Sequence, residues 1–339
     1  MQTQPRRPYP TGLTAGERRT LVTPGASAFE LVATELQEAE GLLHELLHSN
    51  VDAVSEIGRY LAESGGKRIR PLLTALGARA AGNLRPIARL MCVGELLHLG
   101  SLLHDDVVDE GTERRGRPAA QLVYGNAAVI LTGDYCVSKG IWIAAEEGGL
   151  DAVTELAHVV ASMSEGEVKQ LLNAGDLDLG LETYFDVIDK KSASLISWCA
   201  AAGAWAIDEP ETAAALGSFG RHVGVAFQIT DDVLDYTGEV SLTGKRRGKD
   251  LEQLKATLPL LLAMEKLPEL KEELAAGIPA PERVPAILGK VLGCGATDEA
   301  LGQARDHVFA GLKALEQVRP GPAVEALEAL AYHLVERVS

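Results

Sequence analysis

Two short acidic runs in otherwise apolar sequence carry the residue types needed to hold a metal ion. The first, LLHDDVVDEGTERRGRP, spans residues 102–118 and contains Asp105, Asp106 and Asp109. Asp105 and Asp109 are four residues apart, so on a helix they share one face, where two bare carboxylates repel each other. Carboxylate oxygens suit a hard cation, Mg²⁺ above all. The run therefore predicts a magnesium site at the end of an apolar helix.

A second acidic run, QITDDVLD at residues 228–235, repeats the spacing with Asp231 and Asp235. Each run is followed by basic residues, which include Arg114 and Arg115 after the first, and guanidinium groups match phosphate oxygens. A single acidic pair is common on solvated helix faces. Two copies in apolar sequence instead favour a site in which facing carboxylates bind a diphosphate through several metal ions.

The sequence GGKRIRP, residues 65–71, places Lys67, Arg68 and Arg70 within four residues, just where a helix is predicted to begin. Such a turn is either a solvated basic loop or an anion site at a helix N-terminus. The two acidic runs favour the anion site. His98 lies seven residues before Asp105, two helical turns away on the same face. A lone His on an apolar helix is usually a core residue, but this alignment favours a ligand contact.

The composition predicts helices. Leu and Ala dominate, aromatic residues are 4% of the chain, and 46% of its 339 residues are hydrophobic, which favours packed helices with a sizeable core. No alternating strand pattern and no GxxxxGK[ST], GxSxG or strand-linked GxGxxG motif is present. We predict an all-α fold, a single bundle of mostly antiparallel helices spanning residues 27–339, after a flexible N-terminal arm of residues 1–26.

Charge and cysteine usage narrow the class of protein. A net charge of −16 argues against nucleic-acid binding. The four cysteines are scattered without a CxxC motif, which indicates reduced, mostly buried thiols in a cytoplasmic protein and no zinc site. No apolar run of membrane-spanning length and no N-terminal signal is expected.

Residues 66–71, 105–116 and 227–235, in that order and spacing, resemble the trans-isoprenyl diphosphate synthases, or polyprenyl synthetases, of the long-chain bacterial type. The likeness extends from about Ser27 to the C-terminus. It implies the isoprenoid synthase fold, with antiparallel helices around a deep central cavity, in a homodimer. It also implies Mg²⁺-dependent head-to-tail condensation of isopentenyl diphosphate with an allylic diphosphate primer, with three Mg²⁺ ions per active site and Mn²⁺ as a substitute.

The resemblance also assigns roles to individual residues. It implies Mg²⁺ ligands at Asp105, Asp109 and Asp231, supported by Asp106, Asp232 and Asp235. It implies contacts to the allylic diphosphate from Arg114, Lys191 and Lys245, with Ser192 and Lys255 as further substrate-binding residues. It implies an isopentenyl diphosphate site at Lys67, Arg70, His98 and Arg115, with Phe227 and Gln228 beside the reacting carbons. Two positions depart from the family pattern: Ser192 replaces the usual Thr, and Leu254 stands where Gly is usual, which puts the closing geometry of that loop in question.

The chemistry expected of such a site agrees with the residues. Metal ions and cations neutralise the leaving diphosphate, so the allylic C–O bond can ionise. The double bond of the second substrate attacks the cation, and a proton is lost. No His or Glu is positioned as a dedicated base, so the released diphosphate is expected to take that proton. An apolar cavity protects the cation from water.

Product length is predicted from the helix that ends at Asp105. Residues expected along the passage for the growing chain are Gly94, Leu97, Gly100 and Ser101. Short-chain synthases that resemble this chain place a bulky aromatic residue just before the acidic run, whereas Gly100 and Ser101 are small and predict an open passage. The closed end of this passage is expected at Leu156, further from the acidic run. The product should therefore exceed geranylgeranyl diphosphate, as in quinone side chains, and its release should involve brief membrane contact.

Three alternatives remain open at this point. One is a short-chain farnesyl or geranylgeranyl diphosphate synthase. Another is a class I terpene cyclase, which usually has Asn and Ser in its second motif and an aromatic-rich cavity. The third is a regulatory subunit of a heteromeric synthase, which tends to lose acids from one motif. Here both motifs are complete, aromatic residues are few, and the candidate isopentenyl diphosphate residues are present, so a chain-elongating synthase is favoured.

Overall fold

The computed structural model describes residues 24–238 and 247–336. The predicted ligand Lys245 lies outside these ranges, as does most of the predicted arm. The first five helices are α1 (Pro24–Leu31), α2 (Ala33–Leu46), α3 (Asp52–Ala62), α4 (Ile69–Ala80) and α5 (Ala88–Val108). Because α1 begins at Pro24, helix starts slightly earlier than the expected domain boundary at residue 27.

A two-stranded antiparallel hairpin follows α5, and the chain then returns to helix. The next elements are β1 (Glu113–Arg114), β2 (Arg117–Pro118), α6 (Ala120–Tyr124), α7 (Asn126–Ile143), a π-helical turn (Ala144–Gly148) and α8 (Gly149–Leu172). The π turn joins α7 and α8 into one continuous helical run. The sequence had instead predicted two helices with a break between them.

The second half of the chain contains the longest helix. Its elements are α9 (Leu181–Ile188), a second π turn (Asp189–Ala193), α10 (Ser194–Trp205), α11 (Pro210–Thr237), α12 (Lys249–Glu252), α13 (Leu258–Lys266), α14 (Pro268–Leu274), α15 (Val284–Gly293), α16 (Ala296–Leu315) and α17 (Pro322–Glu336). Apart from the hairpin, the described residues form helices and loops, which confirms the predicted all-α fold.

Helix α10 lies at the centre of the bundle because it has almost no polar face. Its residues from Leu195 to Ala204 are nearly all buried, and it packs against α4, α8 and α11. The indole Nε1 of Trp198 donates a hydrogen bond of 2.8 Å to the carbonyl oxygen of Ala152, at the start of α8. Helix α5 packs on α7, and α11 packs on α16, so the helices that carry the acidic runs are fixed from outside.

The contact between α4 and α10 depends on glycine. A Cβ atom at Gly77 would lie 2.0 Å from the backbone oxygen of Ala200, and one at Gly203 would lie 2.5 Å from the Cα of Ala78. We expect Gly77→Ala to lower the free energy of unfolding by about 1–3 kcal/mol, since backbone must move to admit the methyl group. Chemical denaturation measures this.

Gly41→Ala, on the exposed side of α2, is the matched control for this prediction. A Cβ there meets nothing within 4 Å, and replacing Gly inside a helix with Ala gains about 0.5–1 kcal/mol. Gly41→Ala should therefore raise stability while Gly77→Ala lowers it. Equal denaturation midpoints for wild type and Gly77→Ala would contradict the packing argument.

The continuous run Asn126–Leu172 is long and apolar enough to cross a membrane by length and composition alone. The expectation that no apolar run reaches that length is therefore wrong by this criterion. The physical reason is that α7 carries only two charged residues, Asp134 and Lys139. Core helices of soluble proteins meet the same criterion, and α7 lies along α5 within the bundle.

Candidate active site

The sides of α5 contact different parts of the fold. One side meets α7, where a Cβ at Gly100 would lie 2.9 Å from the oxygen of Gly133. Another side meets α2, where the Cys92 thiol donates to the oxygen of Ala39 at 3.3 Å. The inner side carries a stripe of partly exposed residues: His98, Ser101, Leu102 and Asp105. This partly exposed stripe ends at the first acidic motif.

The predicted orientations of Leu97 and Gly100 are wrong. Leu97 is buried beside Gly140 of α7, where its Cδ1 would lie 2.3 Å from a Cβ on that glycine. Eight residues rotate an α-helix about 80° beyond two full turns, whereas seven residues return it to within about 20° of its starting direction. His98 therefore shares the side of Asp105 and Leu97 does not. Gly100 is small because α7 packs against it, and its size opens no passage.

Of the predicted passage residues on α5, Ser101 alone keeps a partly exposed position on the inner side. Gly94 also faces inward, but a Cβ there would lie 2.4 Å from the Cys199 sulfur and 3.1 Å from the Cβ of Arg70. The cavity is therefore closed along α5 at the level of Gly94. We expect the space for a growing chain below Ser101 to lie on the α8 side.

Helix α8 faces this space with a stripe of four residues at helical spacing: Leu156, Val160, Met163 and Glu167. Glu167 lies at the upper end beside Asp105, and Leu156 is completely buried at the lower end. Eleven residues separate them, about 16 Å along the helix axis. The structure thus places Leu156 on the side of α8 where a floor was predicted, well below the acidic motif.

Asp105 is a largely buried carboxylate at the end of α5, with both cations and other carboxylates nearby. Burial raises the pKa of Asp105 to about 6, the nearby Lys191 ammonium opposes this shift, and the carboxylates of Glu167 and Asp109 add to it. A carboxyl group with a raised pKa beside other carboxylates indicates that a cation is needed to hold the group together. Asp105 and Asp109 are thus placed as the spacing predicted, at the inner C-terminal end of α5.

Asp106 points into the protein. Its Oδ1 atom accepts hydrogen bonds from Nε of Arg114 at 2.7 Å and from Nη2 at 2.6 Å. Arg114 is thereby fixed at the entrance of the hairpin. At its tip, Arg115 and Gly116 have φ angles of 53° and 77°, as in a type I′ turn. This turn brings Nη1 of Arg115 to 3.3 Å from the hydroxyl of Ser64.

The second π turn brings Lys191 to the cavity. Its ammonium pairs with Glu167 of α8. A Cβ at Gly166 would lie 3.0 Å from the backbone nitrogen of Lys191, so this glycine lets α8 and the π turn approach each other. Single π turns inside helices occur frequently at functional sites. The helical irregularity falls at the predicted diphosphate contact.

A chain of hydrogen bonds orients the second acidic motif. The Ser192 hydroxyl donates to Gln228 at 2.8 Å, and the Gln228 amide donates to Asp232 at 2.9 Å. The Tyr184 hydroxyl donates to the other Asp232 oxygen at 2.7 Å. Burial raises the pKa of Asp232 to about 7, and the Asp250 carboxylate adds to this increase. Lys255 and the hydrogen bonds from Tyr184 and Gln228 oppose it. Asp232 thus connects α9 to α11 from a buried position.

Asp231 and Asp235 face away from this buried chain. Asp231 is exposed. The carboxylate of Asp235 accepts hydrogen bonds from the backbone nitrogens of Lys249 and Asp250 at 3.2 Å and 3.1 Å, and so caps the start of α12. Burial and the Asp250 carboxylate raise the pKa of Asp235 to about 6. Asp235 therefore has a structural contact in addition to its predicted role as a metal ligand.

Lys255 connects the two acidic motifs electrostatically. Burial alone would lower its pKa, but the carboxylates of Asp250, Asp232, Asp235 and Asp109 outweigh burial and raise it. Since Asp109 belongs to the first motif, Lys255 lies within electrostatic range of carboxylates from both motifs. Leu254, at the departure from the family pattern, is buried with a φ of 49°. Leu thus adopts the left-handed conformation that favours glycine, at a cost of about 1–2 kcal/mol.

The predicted isopentenyl diphosphate residues form a basic pocket on the α4 side of the cavity. Burial lowers the pKa of His98 well below its usual value, and Arg70, Arg115, Arg114 and Arg68 lower it further. His98 is therefore neutral at pH 7. Among the described residues, Nε of Arg70 is buried without a hydrogen-bond partner. A cluster of arginines around a neutral His, with an unsatisfied donor, suits a bound anion. Lys67 borders a neighbouring cavity of about 270 Å³ between α2 and α5.

The acidic motifs fit Mg²⁺. Their side chains offer only oxygen ligands, and two buried carboxylate oxygens, Asp106 Oδ2 and Glu167 Oε1, have no hydrogen-bond partner within the described ranges. In residues 24–238 and 247–336, no three His, Cys, Asp or Glu side chains form a preassembled metal site.

Sequence reasoning missed Tyr184, Gly166 and Asp250 as parts of the site. Tyr184 was read only as the start of a helix, although an aromatic hydroxyl on an apolar face usually needs a partner when buried. Gly166, next to Glu167, interrupts a helical pattern, which can signal close packing. Phe227 lies next to Gln228 on α11 as predicted and is partly exposed.

The fold and the site together define a trans-prenyltransferase, an enzyme that transfers allylic groups from diphosphates. The polyprenyl synthetase family model matches residues 51–288. The octaprenyl diphosphate synthase of Escherichia coli (strain K12) is 35% identical over 91% of this chain and 97% of its own length. The all-trans-nonaprenyl-diphosphate synthase (geranyl-diphosphate specific) of Rhodobacter capsulatus is 31% identical over 91% and 96%. This chain belongs to the polyprenyl synthetase family.

Solved structures agree with this membership. The polyprenyl synthase from Caulobacter crescentus CB15, complexed with calcium and isoprenyl diphosphate, superposes with a TM-score of 0.88 at 33% identity, over 93% of this chain and 98% of that chain. A decaprenyl diphosphate synthase from Rhodobacter capsulatus gives a TM-score of 0.85 at 31% identity, over 93% and 100%. The isoprenoid synthase fold predicted from the sequence is confirmed.

Proposed function

We propose that this protein condenses isopentenyl diphosphate head-to-tail with an allylic diphosphate and builds an all-trans polyprenyl diphosphate longer than geranylgeranyl diphosphate. The observation that carries this proposal is the proximity of both acidic motifs to Lys255, with a separate cluster of arginines around His98. Two anion sites of different character suit two diphosphate substrates. One site combines carboxylates with Lys191 and Arg114, and the other consists of cations around His98.

The site along the acidic motifs receives the allylic diphosphate. Arg114, fixed by Asp106, and Lys191, placed by the π turn, neutralise its oxygens, and we assign Lys245 and Lys255 to the same group. The basic pocket of Lys67, Arg70, His98 and Arg115 receives isopentenyl diphosphate. Phe227 and Gln228, the latter held between Ser192 and Asp232, lie beside the reacting carbons.

Asp105, Asp109 and Asp231 hold Mg²⁺ in this proposal, with Asp235 as a further ligand and three ions per active site. When bound, Mg²⁺ supplies positive charge to the leaving diphosphate. We extend the proposal to Mn²⁺ as a substitute, since it accepts the same oxygen ligands. The relative from Caulobacter crescentus, complexed with calcium and isoprenyl diphosphate, supports a hard cation next to this type of ligand.

The side chains of the site act by binding, orientation and exclusion of water. Cations around the leaving diphosphate favour ionisation of the allylic C–O bond. The apolar walls along α5 and α8 keep water from the resulting cation. The π electrons of isopentenyl diphosphate form the new C–C bond, and the released diphosphate accepts the proton. Neutral His98 cannot act as an acid here, and it orients the second diphosphate.

A product longer than geranylgeranyl diphosphate is supported by the cavity and by the relatives. Ser101 leaves space below the first motif, and the side of α8 that faces this space continues to Leu156. The relatives include octaprenyl and nonaprenyl diphosphate synthases and a decaprenyl-diphosphate synthase subunit of Schizosaccharomyces pombe, which is 30% identical. The assay below distinguishes this long product from a shorter one, farnesyl or geranylgeranyl diphosphate.

We propose that the enzyme is a cytoplasmic homodimer. The apolar residues Leu122, Val123, Ile130 and Leu131, on α6 and α7, are 39–64% exposed and form a patch suited to a second copy. All four cysteines are free thiols, as expected in a reducing compartment. A relative named heptaprenyl diphosphate synthase component 2 raises the competing arrangement in which a second type of subunit is required.

Assay of the purified chain alone tests the proposed function. With Mg²⁺, isopentenyl diphosphate and a series of allylic primers, we expect labelled isopentenyl diphosphate to enter products longer than twenty carbons, sized by chromatography. A terpene cyclase would release hydrocarbon without incorporating label. A regulatory subunit or a component of a heteromer would show no turnover alone. Size-exclusion chromatography with light scattering measures the dimer.

Substitutions in the two anion sites should affect different substrates. Arg70→Ala and His98→Ala are expected to raise chiefly the KM for isopentenyl diphosphate, because they remove ligands of the basic pocket. Lys191→Ala and Lys245→Ala are expected to impair chiefly the allylic substrate. Steady-state kinetics with each substrate varied in turn separates these effects. The reverse pattern would show that the two subsites are exchanged.

A further inference from the structure

Arg68 interrupts the basic turn in an unusual way. It precedes α4 with φ 52° and ψ 35°, the left-handed conformation, which costs free energy for any residue except glycine. Such strain persists where surrounding contacts fix it, and it is found most often near functional sites. Lys67 and Arg70, on either side of Arg68, were predicted to bind diphosphate. Residue type alone does not distinguish Arg68 from these two cations.

All three nitrogens of the Arg68 guanidinium group donate hydrogen bonds to carboxylates. Nε and Nη2 donate to the two oxygens of Glu40 on α2 at 2.7 Å and 2.6 Å. Nη1 donates to Glu95 on α5 at 3.1 Å, and the Arg68 and Glu95 side chains are only 18% and 6% exposed. Arg68 therefore connects α2, α4 and α5 behind the basic pocket.

Glu95 is the carboxylate that acts on the pKa of Arg115 in this pocket. A Cβ at Gly66 would lie 3.2 Å from Nη1 of Arg68 and 3.6 Å from Nη1 of Arg115, so the two guanidinium groups flank the same glycine. Burial lowers the pKa of Arg115, Glu95 opposes this, and Arg114, Arg68 and Arg70 add to it. Without Arg68, Glu95 would be a buried carboxylate without its partner, and Arg115 would be the cation available to pair with it.

We propose that Arg68 is a positioning residue of the isopentenyl diphosphate site, which occupies Glu95 and fixes the turn of residues 65–70 so that Arg115 and Arg70 remain available to the diphosphate. This inference rests on the proposed function for the identity of the substrate. Arg68 itself does not touch the substrate, because Glu40 and Glu95 take its donors. The turn is then held in its binding geometry before the substrate arrives.

The test compares Arg68→Ala with the double variant Arg68→Ala/Glu95→Gln. Arg68→Ala should raise the KM for isopentenyl diphosphate by about 10- to 100-fold, as for other residues that orient direct ligands, with little change in the KM for the allylic primer. Adding Glu95→Gln removes the charge that captures Arg115, so most of the lost affinity should return. A purely structural role predicts that the double variant is worse than the single one.

Arg79→Ala is the matched control, because Arg79 also joins α4 to α2, through Glu35, at Nε–Oε1 3.0 Å, away from the pocket. It should leave both KM values unchanged. If Arg68→Ala does not fold, Arg68→Lys serves instead: Lys reaches one carboxylate but not both, so its KM should lie between wild type and the expected Ala value. A wild-type KM in Arg68→Lys or Arg68→Ala, or no recovery with Glu95→Gln, overturns the proposal.

Calorimetric titration with inorganic pyrophosphate, without added Mg²⁺, measures anion binding by the basic pocket in the absence of turnover. Weaker binding by Arg68→Ala than by wild type and Arg79→Ala supports positioning, and equal binding overturns it. A wild-type enzyme that binds pyrophosphate but incorporates no isopentenyl diphosphate would instead refute the proposed function. The two failures are therefore distinguishable.

Discussion

Replacing Asp105 with Asn is expected to lower kcat by at least about 100-fold, comparable to the loss of one well-placed electrostatic group in other active sites. The substitution keeps the shape of the side chain and removes its charge. In the proposed mechanism Asp105 holds Mg²⁺ against the leaving diphosphate, so the effect falls on ionisation. Single-turnover kinetics with saturating substrates measures this step, and Asp231→Asn should behave in the same way.

Stability should not account for the lost activity of Asp105→Asn. Burial and the carboxylates of Glu167 and Asp109 disfavour the charged form of Asp105, so a neutral residue should leave the Tm, measured without added metal, unchanged or higher. Asp151→Asn, an exposed acid in the first turn of α8, is the matched control and should keep full activity. A variant at Asp105 or Asp231 with near-normal turnover would refute the metal assignment.

Ser101→Phe is expected to shorten the product to farnesyl or geranylgeranyl diphosphate. Ser101 lies on the inner side of α5, one turn below Asp105, where a ring would fill the space through which the growing chain passes. The first condensation should proceed nearly as in wild type, because the metal ligands and both anion sites are untouched. Chromatographic sizing of the products under primer excess measures the effect.

Gly100→Ala tests the same argument from the neighbouring position. Its methyl group would press against the oxygen of Gly133 and Cγ2 of Val137, 2.9 Å and 3.0 Å away. We therefore expect a lower Tm and an unchanged product length. A wild-type enzyme that itself stops at twenty carbons would show that the cavity is closed above Leu156. A Ser101→Phe variant that still makes long products would show instead that the growing chain does not pass Ser101.

The sequence by itself determined the helical class and the chemistry of the site. Carboxylates four residues apart in apolar segments indicated a bound cation, because charges of the same sign on one helical turn repel each other. The cations of residues 67–70 and 114–115 indicated phosphate for the same elementary reason. Such signals are local, since residue type and helical spacing alone produce them, and the structure places carboxylates of both acidic motifs within electrostatic range of Lys255.

Tertiary structure decided which member of each run does which task. Asp106 and Asp232 share the motifs of Asp105 and Asp231, yet they turn inward to Arg114 and Tyr184. Arg68 has the same charge as Arg70 but is taken by Glu40 and Glu95, which are distant in sequence. Gly100 faces α7 because of the way α5 is rotated about its own axis in the bundle. These outcomes follow from partners brought together only by folding, and a single sequence does not show which distant side chains will compete for the same charge.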